Sequence, residues 1–206
     1  SGSSSMMLAM MGSSGLEQFH ALPENDALYK DQYDVKAGHW PENEHQCVVV
    51  LTKDGRLYDM TLYSLGLKSG EELDKILDAV ADDKTVETSD KLETFDYDDF
   101  LGIKLKLVNA SDYYVYDNEF SVWKDKSDND KYIENLVKDG EDLEVVGVVQ
   151  PKDGEDITML TAGVSYPASL VNHVIEEASK SKIVKAQIKN KKKNVFNGKA
   201  FDDPDD

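Results

Sequence analysis

The order of apolar and polar positions separates this chain into short strands and short helices. Gln46 to Leu51 is a β-rich apolar run that stops at the turn Lys53-Asp54-Gly55-Arg56, which predicts a buried strand. Ile103, Leu105 and Leu107 alternate with Lys104 and Lys106, the mark of a half-buried strand, and Tyr113 to Tyr116 and Phe120 to Trp123 are predicted as its antiparallel neighbours. Leu143 to Val149 is the strongest strand signal, ended by Pro151 and Gly154. A brief strand at Tyr33 to Ala37 turning at Gly38, and a last strand at Ile183 to Ile188, complete the β set.

Other stretches repeat at helical spacing. Tyr58 to Leu65 reads as a short helix ended by Gly66, and Glu71 to Ala81 as a second with Leu73, Ile76, Leu77 and Val80 on one stripe. Asp130 to Lys138 carries Tyr132, Ile133, Leu136 and Val137 on one side and stops at Asp139-Gly140. From Pro167 to Ser179, Leu170, Val171, Val174, Ile175 and Ala178 make an amphipathic face. Short helices are predicted after Pro23-Glu24-Asn25-Asp26 and after Asp96, where Asp98 and Asp99 complement the helix dipole and Gly102 ends the element. Intermixed helices, alternating strands and continuous strands predict an α+β fold with mixed sheets and packed helices.

The flanks have a different composition. Residues 1–22 are rich in Ser, Gly and Met, with Met6, Met7, Met10 and Met11 as an apolar cluster, and are predicted to form a flexible arm; residues 202–206 form an acidic tail. The chain carries 41 acidic and 23 basic residues for a net charge of -18, which opposes nucleic acid and anionic membrane surfaces at long range. The same charge favours a cationic peptide over an anionic one. No apolar run approaches the roughly 18 to 20 residues that cross a bilayer. The Ser-Gly-Ser-Ser-Ser start has no charged leader, so the chain reads as an excised fragment. A single cysteine, Cys47, excludes an internal disulfide framework.

Candidate chemistry is sparse. His45 and Cys47 share a face of their strand with His39 near in sequence, a set that suggests a nucleophile pair or part of a zinc site, against which stands the ordinary role of Cys as a small buried hydrophobe. His20 and His173 add nothing by position. Asp125, Ser127, Asp128, Asn129 and Asp130 offer oxygens for calcium but lack the Gly and terminal Glu of an EF-hand loop, and Asp128 or Asp130 serves as a helix cap instead. Asp96, Asp98 and Asp99 are better explained as dipole partners than as an acid–base pair. The basic run Lys189, Lys191, Lys192 and Lys193 suits either lipid headgroups or a solvated loop. Tyr113, Tyr114, Tyr116, Phe120 and Trp123 offer rigid amphipathic surface for a partner or substrate. We therefore assign no catalytic residue, no cofactor and no metal site from sequence.

Three stretches, in order, resemble the extracytoplasmic domain of FtsX-like ABC transporter permeases of the MacB class, especially the Gram-positive type. Gln32-Tyr33-Asp34-Val35-Lys36-Ala37-Gly38-His39-Trp40-Pro41 is similar to the family's Tyr-Asp-Val-x-x-Gly-Arg-Trp-Pro entry, followed by Val48 to Leu51 and Tyr58 to Leu67. Tyr97 to Tyr116 is similar to its Tyr-x-Asp-x-x-Gly-x-x-x-Lys-Leu element. Leu143-Glu144-Val145-Val146-Gly147-Val148-Val149 resembles its Val-Val-Gly-Val strand, and Gly163-Val164-Ser165-Tyr166-Pro167 follows. The resemblance spans roughly residues 24 to 201 and marks Gly38, His39, Trp40, Pro41 and Gly147 as the structural motif. His39 stands where the family usually has Arg, which exchanges a fixed five-donor charge for a titratable ring.

The resemblance implies a core, porter-like lobe from residues 23–95 and 159–201 and a smaller inserted lobe from residues 96–158. It implies a non-catalytic domain on the extracytoplasmic side of the cell membrane, held by flanking helices outside this fragment. Its partners would be a separate cytoplasmic ATPase, a second permease copy or subunit, and a peptide, antibiotic or lipoprotein substrate. The chain lacks a Gly-x-x-x-x-Gly-Lys-Ser/Thr loop, in keeping with an ATPase on another subunit. The alternative is a surface-anchored ligand-binding or adhesion module without an ATPase, and a third reading is a Cys/His hydrolase using Cys47.

Overall fold

The computed structural model describes residues 7–9, 19–67, 95–155 and 157–201, with backbone alone at 7–9, 59 and 60. The helix expected at Glu71 to Ala81, three of the four Met residues of the arm and the acidic tail lie outside the described residues.

The described strands are β1 (Met7–Ala9), β2 (Phe19–Ala21), β3 (Tyr33–Gly38), β4 (Gln46–Val50), β5 (Lys104–Val108), β6 (Tyr114–Asp117), β7 (Val122–Asp125), β8 (Glu141–Pro151) and β9 (Gly163–Tyr166). The described helices are α1 (Asp59–Ser64), α2 (Asp130–Asp139), α3 (Ala168–Lys180) and α4 (Lys182–Lys189), with short 3-10 turns between strands. Seven strands form one mixed sheet in the order β1-β5-β8-β4-β9-β2, with β3 also on β8, while β6 and β7 form a separate ribbon. The fold is α+β, as the intermixed pattern predicts.

β8 is the organiser. Its first half pairs antiparallel with β5, its second half pairs antiparallel with β3, and β4 runs parallel along its other side. The run from Cys47 to Leu51 is buried because the sheet separates two cores. Cys47, Val49 and Leu51 face one with Leu62, Leu65, Leu105, Leu170 and Val174, so α1 and α3 cover that side. Val48 and Val50 face the other with Leu22, Tyr29, Tyr33 and Trp40. Alternation along β8 changes phase midway: Leu143, Val145 and Val148 share a core although 145 and 148 differ in parity. The extra residue of β8 is Val146, seen as the register step from Cys47↔Val145 to Val48↔Gly147, and β3 carries a bulge of its own at Lys36, between Val35↔Val149 and Ala37↔Val148.

That bulge explains the motif glycines. Gly38 has φ 64, and a Cβ there would lie 1.9 Å from the Val146 carbonyl oxygen; a Cβ on Gly147 would lie 2.1 Å from the His39 carbonyl oxygen. Two backbones touch at this corner, and only glycine fits on either side. The His39 amide donates to Val146 O at 3.0 Å and the Gly102 amide to Val145 O at 2.9 Å, so the 97–102 turn joins the same corner. Trp40 packs edge-on against Tyr29 and Tyr33, with centroids 5.2 and 6.2 Å apart.

Three expectations change. β6 and β7 are not neighbours of β5, whose two edges are taken by β1 and β8; they pair with each other, Tyr116 opposite Trp123. Ile183 to Ile188 is helix α4, capped by the Ser181 hydroxyl accepting from the Val184 amide. Helical spacing puts Ile183, Ala186 and Gln187 together on the covered side, whereas alternation would have driven Lys185 into the interior. Two pieces of the expected arm are strands: β1 adds parallel to β5 and β2 parallel to β9, each satisfying an open sheet edge. The sheet crosses the boundaries at residues 96 and 158: β5 and β8 from the expected insert pair with each other, and β8 also pairs with β3 and β4. Among the described strands, β6 and β7 stand apart from it, and excising 96–158 would remove the central strand.

Candidate functional site

The ribbon and the last helix build a groove. Ser181 starts α4 and Lys189 ends it, after which residues 190–200 loop back and close on themselves through a Lys193–Ala200 bridge. Gln187 pins this loop to the helix: its side-chain amide donates to Asn190 O and Lys193 O, and its oxygen accepts from the Val195 amide at 3.1 Å. The Trp123 amide then donates to Val195 O at 3.1 Å, which fastens the ribbon to the loop. Between them lies a groove of ≈ 610 Å³ with Tyr116, Trp123, Ala186 and Val195 on its walls and Lys182, Lys189 and Lys193 at its sides.

Tyr116 and Trp123 face each other across the ribbon as a directly opposed pair, ring centroids 5.4 Å apart at 60°. Such an edge-to-face pair is held by its quadrupoles and by cross-strand contact, so it is a preformed aromatic wall. Lys124 lies over the Phe120 ring at 4.9 Å and pairs with Asp117, which accepts from the Glu119 and Phe120 amides and so shapes the ribbon's turn. The Lys124 ammonium holds the Asp117 carboxyl below the usual carboxylate range. Lys182, Lys189 and Lys193 make no ion pair with a described carboxylate. A chain of net charge -18 thus presents a locally positive groove, which attracts an anionic group that the rest of the surface repels.

Of the four residues expected on a partner surface, Tyr116 and Trp123 line the groove. Tyr114 packs edge-on against Phe196 at 5.0 Å and braces the loop. Tyr113 is half-buried at the end of a 3-10 turn, and burial raises its phenol pKa. Sequence reasoning missed Lys182 and Ala186 because it read their segment as a strand; the Ser181 cap followed by apolar residues at helical spacing was the available signal.

The other candidates find structural roles. Cys47 is fully buried, and burial pushes its thiol pKa far up, so it does not form a nucleophile pair with His45. His39 Nδ1 donates to the carbonyl oxygen of its own neighbour Trp40 at 2.8 Å and sits 3.9 Å from Glu42. Asp125 accepts from the Ser127 amide and Asn129 caps α2 by accepting from the Tyr132 amide, so these two candidate calcium ligands are turn and cap groups. Asp96 and Asp99 form a reciprocal capping box around the 97–100 turn. His173, which adds nothing by its position in the sequence, comes within hydrogen-bond distance of Glu141, as does His45.

No helix among the described residues is long and apolar enough to cross a membrane. No protein-family profile matches the chain, and neither a curated protein nor a solved structure matches it.

Proposed function

We propose that this chain is the extracytoplasmic domain of an FtsX-like ABC transporter permease, a non-catalytic module that couples a cytoplasmic ATPase to the handling of a peptide, antibiotic or lipoprotein. The supporting observation is the corner at which the three resembling stretches meet. Gly38 and His39 from the first, Leu101 and Gly102 from the second, and Val145 to Gly147 from the third come together there, largely through backbone contacts. Three segments that are separate in sequence form one interlocked unit, as a shared structural signature requires.

Within that reading the groove is the contact site. Its aromatic wall supplies rigid area at low entropic cost, and Lys182, Lys189 and Lys193 suit a carboxylate on the bound segment. A cationic peptide, favoured by the charge of the whole chain, would dock on the acidic remainder of the surface. A second permease copy and the ATPase subunit complete the assembly through parts of the protein outside this domain.

The test uses the full-length permease together with its ATPase. Replacing both Tyr116 and Trp123 by Ala should leave folding and membrane insertion unchanged and reduce export and substrate-stimulated ATP turnover by at least about tenfold. Normal export by the double variant overturns the assignment. Loss of ligand binding with ATP turnover untouched would instead favour a surface-anchored binding module.

A further inference from the structure

A second cluster, built from different elements, lies at the start of the two central parallel strands. His45 immediately precedes β4, Glu141 opens β8, and His173 lies in the middle of α3. The placement is enforced from three sides. The Glu144 amide donates to His45 O at 2.8 Å and ties the two strand starts together. Buried Leu170 and Val174 press α3 onto the sheet and set His173 beside Glu141. In addition, the Asn109 side-chain amide donates to Val174 O at 3.0 Å and fixes the helix along its axis.

Both imidazoles present the same nitrogen to the same oxygen. His173 Nε2 is 2.8 Å and His45 Nε2 3.1 Å from Glu141 Oε2, and the three ligand atoms lie within 4.8 Å of one another. The rings are 5.3 Å apart at 64°, so their nitrogens converge rather than stack. Among the described residues this is the one group of His, Cys, Asp or Glu side chains with that convergence.

We propose that His45, Glu141 and His173 form a binding site for a divalent transition metal of the zinc class. Two neutral imidazoles and one carboxylate are borderline donors that suit such an ion, whereas calcium and magnesium favour all-oxygen shells. An ion about 2.0–2.1 Å from each donor at tetrahedral angles separates its ligand atoms by about 3.3–3.4 Å. The two nitrogen–oxygen distances fall a little short of that spacing, and the side chains are 45%, 46% and 22% exposed, which leaves them room to adjust. To ligate through Nε2 each neutral ring carries its single proton on Nδ1, so the ion replaces the Nε2–Glu141 hydrogen bonds and any second ring proton is released to solvent. Three protein ligands leave a fourth position open to water or to a group carried by a partner. The ion would join β4, β8 and α3 as a cross-brace that an unfolded chain cannot reproduce.

The experiment is a titration of the chelator-treated chain with Zn²⁺ by calorimetry and with Co²⁺ by visible absorption. One equivalent should bind, and Zn²⁺ at a hundred times its Kd should raise Tm by roughly 5–10 °C. Ca²⁺ and Mg²⁺ should leave Tm unchanged. Glu141→Gln and His173→Gln, both at accessible positions, should each weaken binding at least about tenfold, while His39→Gln should bind as the wild type does. The absence of saturable Zn²⁺ binding would overturn the site, as would binding that survives His45→Gln combined with His173→Gln in a chain of native ellipticity.

Discussion

The glycine corner allows backbone conformation and steric contact to be measured apart. Gly102 has φ 79, and a methyl placed on it would meet no described atom within 4 Å, so Gly102→Ala carries only the left-handed backbone cost, about 1–2 kcal/mol. At Gly147 no left-handed backbone is involved, and a methyl would sit 2.1 Å from His39 O and 2.9 Å from its carbon. Relief demands about 1 Å of backbone movement in the central strand, an overpacking cost of about 3 kcal/mol or more. Gly38→Ala meets both penalties, with φ 64 and a methyl 1.9 Å from Val146 O, and should cost roughly 4–5 kcal/mol. At about 2–4 °C per kcal/mol for a domain of this size, Tm should fall by roughly 8–20 °C for Gly38→Ala and by less than about 8 °C for Gly102→Ala. Urea unfolding followed by circular dichroism gives the two free energies directly. A Gly38→Ala variant within about 1 kcal/mol of Gly102→Ala would refute the claimed backbone contact.

Two further outcomes follow from named contacts. The Lys106 and Lys104 ammonium groups hold the Asp142 carboxyl below its ordinary value of 3.8, so the folded state favours the ionised form. That contribution is present above about pH 4 and disappears as pH falls through the lower folded value; urea midpoints of Asp142→Asn and wild type should differ at pH 7 and converge near pH 2, and a difference that persists in acid would contradict it. Asn129 accepts from the Tyr132 amide at 3.0 Å as the cap of α2, so Asn129→Ala should cost about 1 kcal/mol in the same assay, and an unchanged midpoint would remove the cap from the account.

How far the sequence can be read depends on whether a pattern is local. β4, β8, α2 and α3 are legible because each carries its own periodicity and stop signal, from Val48–Leu51 before Asp54-Gly55 to Leu170 and Val174 after Pro167. Ile183 to Ile188 is ambiguous because six residues suit either period, and the Ser181 cap decides between them. The pairing of β6 with β7 depends on β5 already having β1 and β8 on its edges, which is a fact about the sheet and not about residues 103–123. For the same reason His173 is invisible in the sequence: it is 128 positions from His45 by residue number, and only the packing of α3 on the sheet brings the two to one carboxylate. Tyr116 and Trp123 stand out as surface aromatics, but Lys182 and Lys189, which help give their groove its sign, belong to a helix whose residues also fit a strand.

The central claim is a domain exposed on the outer face of a membrane, and site-specific labelling in intact cells tests it most directly. Cys47 is fully buried with its thiol pKa raised, so it stays silent in the folded protein, whereas Asp128 lies exposed in the turn before α2. In the full-length protein, Asp128→Cys should react with a membrane-impermeant maleimide in intact cells to an extent well above that of the wild type. Reaction of Asp128→Cys only after the membrane is permeabilised would contradict the account.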